Sequence, residues 1–242
     1  MSPRAVVRIA AASIAGAGLL FAAHAQAQTT GAQGAKDRSA LPGAARPCAV
    51  CHGNDGIADL TGVPNLAGQR ADYLVKQTAQ MRAAAEARLG RQPTAPLVPP
   101  SAPSHRAYYS EHRDNQVMDR LVASLDDDTI QAVAEFFAAL PRACPPPQSR
   151  GAPPKVLARC AVCHGKDGVG PVARIPTLAG QHALYLADQI RRMRAAQRGE
   201  VFIGADIAHM SGVMGTQAIS LDEDQIGALA AWFATAPCEP GR

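Results

Sequence analysis

The chain is poor in aromatic side chains, with five Phe, four Tyr and one Trp among 242 residues. Those are the residues that carry most bulk into a core. Their scarcity excludes a large conventional interior. It leaves a small helical protein, or one whose interior is filled by something other than side chains. Alternation of apolar and polar residues is also missing, which argues against an extended sheet. So is a charge excess of one sign: 24 Lys and Arg against 20 Asp and Glu give a formal net charge of +4. That bias is too weak to point to nucleic acid or to anionic lipid.

Long apolar runs are confined to the N-terminus. Arg4 and Arg8 precede an apolar stretch from Ile9 to Ala23, followed by small-x-small sites ending at Ala25 or Ala27. This is the layout of a cleavable secretory signal peptide over residues 1–27. The stretch is shorter than the ~20 residues that a membrane span needs. The mature protein is therefore expected in the periplasm, carrying a formal charge of +2 once the two arginines leave. Export places the six cysteines in an oxidising compartment, where an even count ordinarily signals disulfides. Four of the six belong to a different pattern.

That pattern is a repeat. "CAVCHGNDG" begins at Cys48 and "CAVCHGKDG" at Cys160. At an offset of 112 residues the match runs without gaps to Ala84 and Ala196, with about 21 of 37 positions identical. It takes in "LAGQ" at Leu66–Gln69 and Leu178–Gln181, "YL" at Tyr73 and Tyr185, and "MRAA" at Met81 and Met193. Two copies of this length mean two similar domains rather than a solenoid. The register is lost in a Pro- and Ser-rich segment near residues 91–112 of the first copy. It returns near Met118 and Met214 at an offset of 96, so the first copy holds 16 extra residues. From there Leu125, Ile130 and Phe137 match Leu221, Ile226 and Phe233. Between the copies lies "CPPPQSRGAPP", a semi-rigid linker.

The copies read as helical. Ile130, Val133, Ala134, Phe137 and Leu140 share one face. Ser124 with Asp127 and Ser220 with Glu223 are expected to form capping boxes, and Pro141 and Pro237 to mark the stops. Earlier helices are expected from about Gln69 to Arg88 and from about Gln181 to Gln197.

Cys-x-x-Cys-His is the attachment signature of c-type haem. Cys48 and Cys51 would add to the vinyl groups of one haem, with His52 as proximal ligand to its iron. Cys160, Cys163 and His164 would do the same for a second. A redox dithiol would need a βαβ context, and a zinc site two further ligands near each pair; neither is evident. Two buried porphyrins would also account for the thin aromatic content. Glycines after each ligand, Gly53, Gly56, Gly165 and Gly168, permit a sharp turn, although any one of them reads equally as a loop glycine. A ligand imidazole needs an orienting partner on its other nitrogen. Pro64 and Pro176, each twelve residues beyond its histidine, are candidates through their carbonyls, with simple turn prolines as the alternative.

The sixth ligand decides the chemistry. Met ligation closes the iron and suits electron transfer, whereas an open iron binds small molecules. Met81 and Met193 fall inside a long helix and read as core. Met118 and Met214 match across the repeat, and each lies seven residues before the Leu preceding the acidic helix start; they are expected in a loop that reaches over the haem face. Met210 is the rival in the second copy, where the first has Asp114. His105, His112, His182 and His209 have no partners in the repeat and read as exposed or hydrogen-bonded. Cys144 and Cys238 follow the last helix of each copy, and whether they pair is a matter of geometry.

These motifs, "CAVCHG", "DG", the proline before "LAGQ", "YL" and the matched methionines, resemble the dihaem cytochrome c4 family across roughly residues 40–240. The resemblance implies an all-α chain of two tandem cytochrome c-like domains, each a small helical fold around one covalently bound haem. The domains would span 36–142 and 155–238 with the linker at 143–154. It implies iron held by His52 with Met118 and by His164 with Met214, and Pro64 and Pro176 accepting from the histidines. It also implies a carrier of single electrons with no small-molecule substrate and no nucleic-acid partner. Its partners would be redox proteins: a terminal oxidase, a cytochrome complex or a dehydrogenase, a role compatible with peripheral membrane association. The alternatives are an electron-accepting subunit of a periplasmic dehydrogenase, or a dihaem enzyme of the peroxidase or thiosulfate-oxidising type. The Pro-rich segment and the two extra cysteines depart from the family pattern.

Overall fold

The computed structural model describes residues 41–90, 116–146, 149–199 and 213–237, and eight α-helices occur among them. The leader, the Pro-rich segment, His105, His112, Asp114, His209, Met210 and Cys238 lie outside the described residues. In the first repeat a 3-10 turn at Gly43–Ala45 leads into α1 (Arg46–His52), followed by α2 (Ala71–Arg88), α3 (Gln116–Val122) and α4 (Asp127–Ala139). In the second come α5 (Leu157–His164), α6 (Ala183–Arg198), α7 (Val213–Ala218) and α8 (Glu223–Ala234). No strand occurs among the described residues, so the expected all-α class is observed.

The packing repeats as the sequence does. α2 lies against α3 and α4, and α6 against α7 and α8. Leu74, Val75, Ile130, Ala134 and Phe137 form the first core together with Leu41, Ala45 and Ala49. Leu157, Leu186, Leu221, Ile226, Leu229 and Phe233 form the second. Phe137 and Phe233 are 0% and 2% exposed. Each such buried side chain contributes about 1.5–3 kcal/mol. Met81 is buried and Met193 packs against the second core, as expected for core methionines.

The last helix of each repeat starts later than the serine caps predicted. Asp126 caps α4, its carboxylate accepting from Thr129 N–H at 2.8 Å. Asp222 caps α8, accepting from Gln225 N–H at 2.8 Å, while the Gln225 side chain accepts from Asp222 N–H at 3.2 Å. Ser124 and Ser220 do not cap, because the chain is still closing the preceding helix: Leu125 N–H donates to Val122 and Leu221 N–H to Ala218. The carbonyls of those two leucines are also taken. Arg82 donates to Leu125 O at 2.8 Å and pairs with Asp127 at 2.5 Å. Arg194 donates to Leu221 O at 2.9 Å and pairs with Glu223 at 2.5 Å. The arginine of the repeated "MRAA" is thus a hook from the long helix to the start of the last one.

The connecting segment is fastened rather than free. The Arg150 guanidinium stacks 3.6 Å above the Trp232 ring, pairs with Asp167 at 2.7 Å and donates to Trp232 O at 2.8 Å. None of the described helices is long and apolar enough to cross a membrane.

Arg82→Ala removes charged donors from a side chain only 4% exposed. Stability of the haem-loaded protein to denaturant should fall by about 1.5–3 kcal/mol; an unchanged midpoint would show that the hook carries no stability. A second expectation concerns pH. Hydrogen bonds from Arg191 and then Arg194 hold the Glu223 carboxyl below the usual carboxylate range. A depressed carboxylate stabilises above its unfolded value, about 4.3, and that contribution is lost as pH falls through the folded value. The melting temperature of Glu223→Gln should therefore trail the wild type most near neutral pH, and the gap should close in acid.

Candidate haem-attachment sites

α1 and α5 are short, and each ends on its own histidine. Cysteines three apart on a helix are neighbours on one face, so Cys48 and Cys51 present their sulfurs together, as do Cys160 and Cys163. None of the four is joined to another cysteine in a disulfide. Immediately afterwards the chain turns at Gly53, φ +80°, and Gly165, φ +75°. A Cβ at Gly53 would sit 2.1 Å from Ile57 O, and one at Gly165 would sit 2.5 Å from Val169 O. The turn therefore requires glycine at both positions, and the loop-glycine reading does not hold there.

The loop then folds back over the histidine. Gly56 O accepts from Leu66 and Ala67 N–H at 2.8 and 3.0 Å, and Gly168 O from Leu178 N–H at 2.7 Å. Gly68 N–H reaches Phe137 O at 3.0 Å, and Gly180 N–H reaches Phe233 O at 3.1 Å. These bonds tie the "LAGQ" segment to the last helix and carry each proline to its histidine. His52 Nδ1 lies 2.8 Å from Pro64 O, and His164 Nδ1 lies 3.2 Å from Pro176 O. A carbonyl can only accept, so Nδ1 carries the proton and a neutral ring keeps its lone pair on Nε2. Both rings are 5% exposed. Burial lowers the His164 pKa, offset in part by the bond to Pro176, which favours the neutral imidazole that binds metals.

The residues fit a haem c better than the competing chemistries. Burial raises the Cys48 and Cys160 thiols above their ordinary range, with Arg159 acting weakly the other way on Cys160; a redox dithiol needs the opposite shift. Among the described residues no group of three or more His, Cys, Asp or Glu could hold a metal ion, as a zinc site would demand. Two sulfurs on one helical face beside a buried, oriented imidazole suit a porphyrin tethered through its vinyl groups. When bound, haem c supplies an iron that gains and loses one electron.

The matched methionines are not on a loop. Met118 is the third residue of α3 and Met214 the second of α7, both half-buried. These helices are only seven and six residues long, too short to show a helical period in the sequence. Cys144 is exposed, and Cys238 lies outside the described residues. His182 is hydrogen-bonded, its Nε2 3.0 Å from Ala58 O of the other repeat. Sequence reasoning missed the roles of Gln69 and Gln181. Their one signal was recurrence in "LAGQ", and both prove to be buried where the repeats meet.

Helices wrapped around two such segments define a c-type cytochrome of duplicated build. Comparison with known proteins agrees. A family model described as cytochrome c matches residues 154–237. The chain is 29% identical over 224 residues to the thiosulfate dehydrogenase electron acceptor of Stutzerimonas stutzeri (strain A1501), covering 86% of this chain and 88% of that one. It is 29% identical over 179 residues to cytochrome c4 of Stutzerimonas stutzeri, covering 69% and 77%. Cytochrome c-554(548) of Halomonas halodenitrificans is 33% identical over 79 residues, 33% of this chain and 86% of that one. The crystal structure of reduced recombinant cytochrome c4 from Pseudomonas stutzeri shares the fold, with a TM-score of 0.53 at 24% identity over 80% of this chain and 95% of that one. The chain belongs to the c-type cytochromes and is similar over 69% of its length to cytochrome c4, with haem c bound covalently at its two Cys-x-x-Cys-His segments.

Gly53→Ala should force the turn after His52 open. Strain at a positive φ and the clash with Ile57 O together cost several kcal/mol in order of magnitude. Purified variant should show a lowered denaturation midpoint and loss of one haem relative to the other. Wild-type behaviour would show the turn to be pliable.

Proposed function

We propose that the chain is an exported, periplasmic electron carrier that passes single electrons through two closed haems. Cys48 and Cys51 hold the first through thioethers, and Cys160 and Cys163 the second. His52 with Met118 and His164 with Met214 ligate the irons, and the cytochrome units span 36–142 and 155–238 about the linker at 143–154. The observation that carries the reading is the matched pair of buried imidazoles, each with Nδ1 committed to a proline carbonyl. Equivalent, half-buried placement on α3 and α7 supports the methionines. Thioether ligation in a dry pocket favours ferrous iron and raises the potential. Residues 1–27 are read as the cleaved leader.

Surface chemistry supports a redox protein as partner. Val50 and Val162, inside the two Cys-x-x-Cys segments, are 76% and 78% exposed, and Val117 and Val213 beside the methionines are exposed as well. Apolar side chains at equivalent places suit brief contacts of modest area. One specific observation favours a dehydrogenase as the donor. A relative spanning 86% of this chain is named as the electron acceptor of thiosulfate dehydrogenase, as is a second spanning 84%, from Thiomonas intermedia (strain K12). On this reading the dehydrogenase supplies electrons and a terminal oxidase or cytochrome complex removes them. The named relatives are carriers and acceptors rather than catalysts.

The wild-type ferrous protein should bind no carbon monoxide. Met118→Ala should open one haem to it and Met214→Ala the other. Binding to the wild type, or indifference to both substitutions, would contradict the closed ligation.

A further inference from the structure

The two repeats meet through a reciprocal pair of glutamine side chains, each grasping the residue that follows the other repeat's proline. Gln181 Oε1 accepts from Asn65 N–H at 2.9 Å, and its Nε2 donates to Asn65 O at 2.9 Å. Gln69 Oε1 accepts from Thr177 N–H at 2.8 Å, and its Nε2 donates to Thr177 O at 2.9 Å. All four residues are buried, 6–7% exposed. Each glutamine oxygen also accepts from the next backbone N–H of its own chain, Arg70 at 2.9 Å and His182 at 3.0 Å. Those following residues reach across too: His182 Nε2 bonds to Ala58 O, and Arg70 to Gly170 O.

One peptide group links this clasp to each haem site. The carbonyl of Pro64 and the N–H of Asn65 belong to the same peptide plane. His52 Nδ1–H donates to that carbonyl, and that N–H donates to Gln181. The chain His164, Pro176–Thr177, Gln69 is its counterpart. Hydrogen bonds in series polarise one another by roughly 10–30% per bond. An accepted N–H makes its carbonyl a stronger acceptor, which pulls harder on the imidazole proton. The ring then becomes a more electron-rich ligand, and groups bonded behind a ligand tune its metal. A richer imidazole favours ferric iron and lowers the potential.

We propose that Gln181 is a positioning residue for the first haem and Gln69 for the second, so that each repeat sets the potential of the other's iron. The inference rests on the ligand reading above, with His52 and His164 on iron. The Asn65 side chain accepts from Ala58 N–H at 2.9 Å and also reaches across, donating to Gly180 O at 3.0 Å.

Two substitutions at one position separate tuning from mere packing. Gln181→Leu removes the acceptor, and Gln181→Glu keeps the shape with a stronger one. In full-length, two-haem protein, redox titration followed by NMR of the haem methyl groups resolves the haems. The Leu variant should raise the first haem's potential and the Glu variant lower it. Each change should be about two- to five-fold in the reduction equilibrium, or about 20–40 mV at 59 mV per tenfold for one electron. The second haem should move much less, and Gln69→Leu and Gln69→Glu should reverse the pattern. Shifts of the same sign, equal shifts at both haems, or none would overturn the relay. If neither Leu variant assembles, the Glu pair decides alone, and unmoved potentials overturn it. Imidazole resonances shifted by the iron in wild-type protein distinguish the two failures. Their presence with unmoved potentials sinks the relay alone, and their absence sinks the ligand reading and the relay with it.

Discussion

Each half of the molecule is organised by one hydrogen bond, from a buried imidazole Nδ1 to a proline carbonyl twelve residues on. It fixes the tautomer, so that the ring's lone pair sits on Nε2. To make it, the chain must reverse directly after the histidine, which only glycine at Gly53 and Gly165 permits. The returning loop must then be held at the right height, which the bonds from Gly68 to Phe137 and from Gly180 to Phe233 accomplish. The last helix of each repeat is therefore both core and abutment. Its start is set by Asp126 or Asp222, and its distance from the long helix by Arg82 or Arg194.

The shortage of aromatics becomes intelligible in these terms. One Phe per last helix sits at the centre of each small core, and the remaining large apolar body in this family is the porphyrin itself. The protein contributes tethers and one oriented imidazole per site, and the cofactor supplies the redox chemistry. Duplication adds something a single unit lacks, a shared boundary in which Gln69 and Gln181 exchange places across the repeat.

What could be read from sequence was what repeats locally. The Cys-x-x-Cys-His segments, the proline spacing, the helix faces and the core pairs Ile130 with Ile226 and Phe137 with Phe233 depend on short-range pattern, and they stand where expected. The caps shifted by two residues because a Ser-x-x-acid pattern cannot reveal that the preceding leucine is still closing a turn and that an arginine over 25 residues away occupies its carbonyl. The sequence predicts loops at the methionines for a similar reason: α3 and α7 are too short to show a period. The glutamine clasp was illegible, since its bonds join residues 108 and 116 positions apart. Its only trace was that "LAGQ" occurs twice.

The most direct test of the account is the haem content of the exported full-length chain, by alkaline pyridine spectrum and intact mass together with thiol alkylation. The account predicts two haems per chain, with Cys48, Cys51, Cys160 and Cys163 all closed to alkylation. A colourless product whose cysteines all alkylate, or emerge joined to one another as disulfides, would contradict it.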